Sequence, residues 1–424
     1  MGAAILFICL FGLLALSVPV GFALGISSLV YLVFEQGTPI MAAMQRVVVA
    51  SDSFSLMALP LFIISGNLMC DGGISKRLIN FIDALIGWAR GGLAIVTTVA
   101  CAFFGAISGS NTATTAAIGS IMIPGMKDKN YDTDFAAAVT ASSGVLGAII
   151  PPSLMMISYG TVTGASIGSL FMGGVIPGII IAILFCILNH FIAKKEGVKK
   201  SDVHYTAKEV LTSTVKALPV LFMPVMVLGG IYGGIFTPTE AATICVIYSC
   251  LLSIAYKEMN FKKFWEIIKR TIVSSATIAL VIGISSVFGL ALATANIPNK
   301  VAQALVPILH NKTIYLLVLI AFLALVGTLM ETLAAIVIIA PILTPIGIQL
   351  GCDPLHLGVL FCIVLVIGFI TPPFGVNLFT AVSTTNTPYV KVVKGVWPFI
   401  IVGFAALFLF AFVPEIITFL PSLT

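Results

Sequence analysis

The sequence predicts an all-α polytopic membrane protein made of two inverted repeats, with about ten transmembrane helices, two re-entrant hairpins and interfacial arm helices. Three observations predict it. Of the 424 residues, 59% are hydrophobic and 9% charged, with a mean hydropathy of +1.17, beyond the range of soluble domains. Apolar runs at 5–16, 223–235, 314–326 and 397–413 hold no acid, base or glutamine. They are continuous rather than alternating, which suits spanning helices and not barrel strands. Finally, one long polar stretch, "KKEGVKKSDVHYTAKEVLTSTVK" at 194–216, separates halves that look alike, 1–193 and 217–424.

The elements follow in order from breakers and charges. Each half starts with two spans, 3–18 and 20–35, then 218–235 and 238–256, joined by turns holding Pro19 and Pro238. The first basic residue is Arg46, so the leading apolar run lacks the positive start of a signal peptide and is expected to stay as a span. One span follows in each half, near 52–70 and 272–294. Then come "GISKRLINFIDALIGWAR" and "IPNKVAQALVPILHNK", amphipathic segments suited to lying at the interface. The segments 92–126 and 313–346 place half-length apolar arms around a polar break, the pattern of a re-entrant hairpin. Each half ends with a span broken near 151–152 or 372–373 and one further span.

Laying Pro124 on Pro341 aligns "SNTATTAAIGSIMIPGM" with "GTLMETLAAIVIIAPIL"; "LGAIIPPS" then falls on "VIGFITPPF" after a loop about four residues longer. Two matches in one order indicate an internal repeat. Five crossings per half make the second half inverted. With the N-terminus outside, eighteen of the twenty-one lysines and arginines fall inside, including the whole polar linker, and only Arg46, Lys300 and Lys312 fall outside. In such a protein the net charge of +5 reports orientation rather than nucleic-acid binding.

Inverted repeats with broken helices are the pattern of secondary transporters, whose sites lie where the breaks meet. A helix interrupted in lipid leaves amides and carbonyls that favour an anion and a cation respectively. The first tip offers Ser108, Ser110, Asn111 and Thr112; the second offers Gly327, Thr328, Glu331 and Thr332, with Glu331 as the one acid placed in the membrane. The breaks at Pro151, Pro152 and Ser153, and at Thr371, Pro372 and Pro373, free further carbonyls beside each tip.

Blander readings stand beside these. Serine and threonine often bond their own helix backbone, and Glu331 is equally suited to carrying a proton or capping a helix. In "GGIFTPTEAA", Pro238 and Glu240 read as ordinary capping. His190, His204, His310 and His356 fall at span ends or loops and read as solvated; the eight cysteines, lacking CxxC spacing, read as small packing hydrophobes.

"SGSNTATTAAIGSIMIPGM", "LGAIIPPS", "GGIFTPTEAA" and "GFITPPFGVNLF" resemble the large membrane subunit of tripartite ATP-independent periplasmic (TRAP) transporters over nearly the whole chain. "SNTAT" is also similar to the Ser-Asn-Thr motif of the wider sodium-coupled dicarboxylate transporter superfamily. The resemblance implies an elevator mechanism in the bacterial inner membrane, and the distribution of basic residues over ten crossings predicts that both termini are periplasmic. It implies sodium at Ser108, Ser110, Asn111 and Ser153, and at Gly327, Thr328, Glu331, Thr332 and Thr371. "GTLMET" in place of a second Ser-Asn-Thr departs from the superfamily pattern. The organic-acid substrate is then expected at the tips, with Thr112, Pro151, Pro152, Pro372 and Pro373 as its neighbours. Implied partners are a small four-helix membrane subunit, a periplasmic substrate-binding protein and membrane lipid; no cofactor is implied beyond the coupling sodium. Similarity leans towards the sialic-acid branch ahead of C4-dicarboxylates. Competing classes are a stand-alone sodium/dicarboxylate symporter, a channel, and a membrane enzyme, against which the absence of HExxH, GxSxG and paired intramembrane aspartates counts.

Overall fold

The computed structural model of the chain describes residues 2–198, 205–309, 311–385 and 387–423, and among them there is helix but no strand. The first half contains α1 (Gly2–Ala15), α2 (Val20–Val30, continued by a π turn over Tyr31–Glu35), α3 (Ile40–Ser51), α4 (Ala58–Asp71) and α5 (Ile74–Ile86). Next are α6 (Gly92–Ser108), α7 (Asn111–Asp128), α8 (Thr133–Ser143), α9 (Leu146–Ile149), α10 (Leu154–Thr163) and α11 (Ile167–Lys195). The second half contains α12 (Ala207–Tyr232), α13 (Pro238–Ala255), α14 (Phe261–Thr294), α15 (Ile297–Leu309), α16 (Lys312–Leu329) and α17 (Thr332–Gln349). It ends with α18 (Pro354–Gly368), α19 (Val376–Thr385), α20 (Tyr389–Phe412) and the single turn α21 (Glu415–Thr418).

Length and composition alone mark 8 described helices as able to cross a membrane, or 9 if the bent pair Thr133–Ile149 and Leu154–Thr163 is one span. Ten were expected. The difference lies in short apolar helices such as α1 and Val20–Glu35, and in both arms of the second hairpin, which are themselves 18 residues long. Apolar side chains also cover the outside: Ile183, Ile187, Leu211, Val215, Leu251 and Ile254 are all exposed, as lipid-facing helices require.

Two element boundaries differ from the sequence reading. The second half was expected to begin near 217, yet α12 starts at Ala207. Its N-terminus is fixed by a capping box, in which Glu209 accepts from Thr206 N–H at 2.7 Å and Glu209 N–H donates to Thr206 Oγ1 at 3.3 Å. Within the linker, 194–195 thus close α11 and 207–216 open α12, while Lys199, Lys200 and His204 lie outside the described residues, as does His310. The span expected at 272–294 is the second part of the 34-residue helix α14, about 50 Å long. Nothing between Phe261 and Thr271 breaks it, whereas the matching stretch of the first half is interrupted at Asp52 and Ser53 between α3 and the turn before α4.

The repeat itself is present in a different register. Helices α7 and α17 are both 18 residues long, and a single shift lays Asn111 on Thr332, Pro124 on Pro345, and Pro151-Pro152 on Pro372-Pro373. The expected pairing of Pro124 with Pro341 is thus wrong by four residues, close to one helical turn. That slip kept the apolar face in place, so hydrophobic pattern alone did not reveal it. In the corrected register the extra four-residue loop disappears, and Ser110 corresponds to Glu331 rather than to Gly327.

Packing exchanges elements between the halves. Helix α4 packs on α13 and α2 on α14; α10 packs on α17 and α19 on α7. Helices α2–α4, α13 and α14 form one group, and the hairpins, broken helices, α11 and α20 another. Between them lie the amphipathic arms: α5 buries Ile74, Leu78 and Ile82 and contacts α4, α6 and α12, while α15 contacts α14, α16 and α17.

His356 overturns its solvated reading. It lies in α18, whose residues His356 to Gly368 are all buried, and its Nε2 is 2.8 Å from the Phe410 carbonyl. His190 is exposed, as expected. Cys70 is exposed rather than packed inside, unlike the buried Cys101, Cys245, Cys352 and Cys362. Glu240 caps α13, accepting from Thr237 N–H at 2.8 Å, as the sequence indicates.

Candidate functional site

The first hairpin turns at one residue. Helix α6 ends at Ser108, Gly109 takes the left-handed conformation (φ +64°), and Ser110 caps α7 by accepting from Ala113 N–H at 3.4 Å. Glycine is required here twice over: the φ is unfavourable for a side chain, and a Cβ would stand 2.8 Å from the Pro152 carbonyl. Asn111 and Thr112, expected in the turn, are the first helical residues of α7 instead.

A compact hydroxyl network fixes this tip. Thr114 Oγ1 donates to the Ser110 carbonyl at 2.7 Å, so the 3.0 Å contact between Ser108 and Thr114 is made with the Ser108 proton. Ser108 Oγ in turn accepts from Ser110 N–H at 3.4 Å. The Gly109 carbonyl accepts from Leu154 N–H at 3.1 Å, which ties the tip to the first proline break. There Ser153, fully buried, donates to the Ala148 carbonyl at 2.5 Å and caps α10. Pro151 and Pro152 are buried beside it. Thr114 was missed by sequence reading although it stands in the quoted motif, because its role arises from a fold-back across the tip.

The second tip is built on the same plan with different chemistry. Helix α16 ends at Leu329, Met330 is extended, and Glu331 caps α17 by accepting from Ala334 N–H at 3.0 Å. Ser110 and Glu331 are therefore equivalent caps, one neutral and one acidic. Their followers also match: Asn111 Nδ2 and Thr332 Oγ1 are both buried without a hydrogen-bond partner, a cost of about 1–3 kcal/mol each unless something binds there.

The other expected residues separate. Gly327 packs backbone to backbone on α18, a Cβ there falling 2.8 Å from the Leu365 carbonyl and 3.1 Å from Gly368 Cα. Thr328 bonds a carbonyl of its own helix, Leu325 at 2.7 Å, and Thr371, just past α18, bonds the Ile367 carbonyl of that helix at 3.0 Å. Pro372 is half-buried and Pro373 exposed, its carbonyl accepting from Tyr389 at 2.6 Å. Asn377, two residues into α19, was missed as well; it is fully buried, donates to the Ala141 carbonyl at 3.2 Å, and leaves Oδ1 without a partner.

Both tips face one cavity of about 880 Å³. Ser108, Ser110, Asn111, Thr112 and Glu331 line it, with Leu154 and Val376 from the starts of α10 and α19. The opposite wall comes from α2, α4 and α14, including Gly66, Asn67, Ser274 and Thr277. Asn67, unremarked in the sequence, donates to Thr271 at 3.1 Å. Ser153, Gly327, Thr328, Thr332 and Thr371 are not on its wall, and neither are the four prolines. No lysine or arginine lines the cavity, but the N-terminal turns of α7, α10, α17 and α19 converge on it. Such ends carry partial positive charge, and the C-terminal end of α6 reaches the wall at Ser108. Amides and hydroxyls of the kind that suit an anion, and hydroxyl and carboxylate oxygens of the kind that suit a cation, therefore meet on one wall.

The family described as "Tripartite ATP-independent periplasmic transporter, DctM component" matches residues 7–416. Among curated relatives, the isethionate TRAP transporter permease protein DctMQ of Oleidesulfovibrio alaskensis is 39% identical over 96% of this chain; the chain spans 65% of that relative's length. The C4-dicarboxylate TRAP transporter large permease protein DctM of Vibrio cholerae is 36% identical, covering 100% of this chain and 98% of its own. The sialic acid large permease SiaM of the same organism is 35% identical over 97% and 96%. Among solved structures, the YdaH transporter of Alcanivorax borkumensis superposes with a TM-score of 0.65 at 14% identity, covering 88% of each chain, a likeness of fold.

Proposed function

We propose, for a chain that belongs to the DctM component family of tripartite ATP-independent periplasmic transporters, sodium-coupled import of an organic acid anion by an elevator movement. Members of this family are multi-pass membrane transport proteins and not enzymes. The observation that carries the proposal is the cavity between the two tips: four helix N-termini and several hydroxyls, one carboxylate, and no basic side chain on its wall. An anion placed there has no lysine or arginine to neutralise it, so bound cations are the natural counter-charge before the load crosses lipid. Sodium is assigned to Ser108, Ser110, Asn111 and Ser153 at one tip, and to Gly327, Thr328, Glu331, Thr332 and Thr371 at the other. The substrate is assigned to the cavity at Thr112 and the amides of the tips; Pro151, Pro152, Pro372 and Pro373, expected as its neighbours, lie off the cavity wall.

Relatives named for isethionate, C4-dicarboxylate and sialic acid stand at similar identity, which supports an organic acid as the class. Sialic acid, ahead of C4-dicarboxylate, is the finer assignment, and competition of each acid for uptake tests it. The reading also places the chain in the bacterial inner membrane with both termini periplasmic, working with a small membrane subunit and a periplasmic binding protein. The fused relative DctMQ supports the first partner.

The experiment is uptake into proteoliposomes under a sodium gradient. Ser108→Ala is expected to lower uptake and flatten its sodium dependence while leaving thermal unfolding close to wild type. Unchanged sodium-dependent uptake in this variant and in Ser110→Ala rejects the assignment. Full uptake after omission of the binding protein identifies a stand-alone symporter instead.

A further inference from the structure

A second polar cavity, of about 310 Å³, lies away from the tips, between the amphipathic arm α5 and the first turns of α12. Its wall is formed by Arg77 and Asn80 on α5 and by Lys208, Glu209, Thr212, Ser213 and Lys216 on α12. Residues 208, 212 and 216 recur at helical spacing and so share one stripe of α12; 77 and 80 do the same on α5.

The charges are unbalanced. Glu209 is committed to the capping box, where its Oε2 accepts both Thr206 N–H (2.7 Å) and Thr206 Oγ1–H (2.8 Å). Arg77 is held in place, donating to the Gly73 carbonyl at 2.9 Å with its guanidinium 3.7 Å from the centroid of the Tyr256 ring. Lys208 and Lys216 are exposed and have no ion-pair partner among the described residues. Three cationic side chains thus converge with the Asn80 amide on one groove, a donor set that suits a phosphate, while the Thr212 and Ser213 hydroxyls donate to the Lys208 and Val210 carbonyls at 2.7 and 2.8 Å and offer only their oxygens.

The surroundings indicate which phosphate. Leu211, Val215 and Leu218 are 65%, 62% and 61% exposed and form the stripe of α12 directly beside the basic one. Leu85 on α5 and Trp88 in the turn just after it are exposed too, and tryptophan is favoured at the membrane–water boundary. A free phosphate gains nothing from the apolar stripe, whereas a phospholipid fits both, with its headgroup in the groove and its acyl chains along the leucines.

We propose that the α5–α12 groove binds the headgroup of one anionic phospholipid, a site separate from the transport cavity. The test uses the full chain in nanodiscs of phosphatidylcholine containing phosphatidylglycerol, with retained lipid counted by native mass spectrometry. Lys208→Gln combined with Lys216→Gln is expected to weaken retention of one phosphatidylglycerol roughly tenfold or more. Lys262→Gln combined with Lys269→Gln removes the same charge from exposed positions of α14 and is expected to leave it unchanged. Equal retention in the two double variants overturns the proposal, and so does equal retention of phosphatidylcholine. Displacement of the lipid by inorganic phosphate alone would assign the groove to a free anion and also overturns it.

Discussion

Single side chains at the tips carry two roles at once, and these can be separated. Ser110 caps α7 and faces the cavity. Glycine is almost as good a cap as serine, whereas alanine costs about 1 kcal/mol. Ser110→Gly is therefore expected to unfold near the wild-type temperature and Ser110→Ala below it. If the hydroxyl also holds sodium, both variants lose sodium dependence to the same degree; a Ser110→Gly protein with normal sodium response reduces Ser110 to a cap. Ser108, Ser110 and Asn111 were legible because polar residues clustered in an apolar run are conspicuous. His356 was not, since burial depends on α20 and the C-terminal turns, far away in sequence.

Between elements, glycines set how closely the hairpins approach the broken helices. A Cβ on Gly105 would fall 2.5 Å from Gly147 Cα, and one on Gly368 would fall 2.7 Å from Gly327 Cα. Gly147 and Gly368 occupy the same place in the corrected repeat. Gly105→Ala and Gly368→Ala are each expected to destabilise by about 1–3 kcal/mol, the cost of overpacking, in chemical unfolding in detergent. Gly125→Ala, with nothing within 4 Å of the new Cβ, serves as the near-neutral control. Helix content, hairpins and proline breaks were readable from breakers and run lengths. The register of the second hairpin was not, because a shift of four residues on a helix preserves the apolar face.

Across the whole molecule, the proposed movement carries the tips past the group of α2, α4 and α14. Gly66 on α4 meets the first tip closely: a Cβ there would lie 3.1 Å from Ser108 Cβ, slightly inside the ~3.5–4.5 Å separation of disulfide-bonded cysteines. With the eight native cysteines replaced, Gly66→Cys with Ser108→Cys is expected to cross-link on oxidation, and the uptake left to the reduced protein, already lowered by loss of the Ser108 hydroxyl, is expected to vanish in the cross-linked one. Uptake that continues in the fully cross-linked protein excludes sliding at this boundary. By itself the sequence determined that the chain is a helical membrane protein of two related halves, which residues make each tip polar, and where α13 is capped, because hydropathy, breakers and caps act within a few residues. Only the tertiary structure decided that Ser110 corresponds to Glu331, that both tips face one cavity without a basic side chain, that Asn67, Thr114 and Asn377 belong to their surroundings, and that Lys208 and Lys216 stand opposite Arg77. Each of these depends on contacts between segments remote in the chain, where helix pattern specifies a face but neither its depth nor its partner.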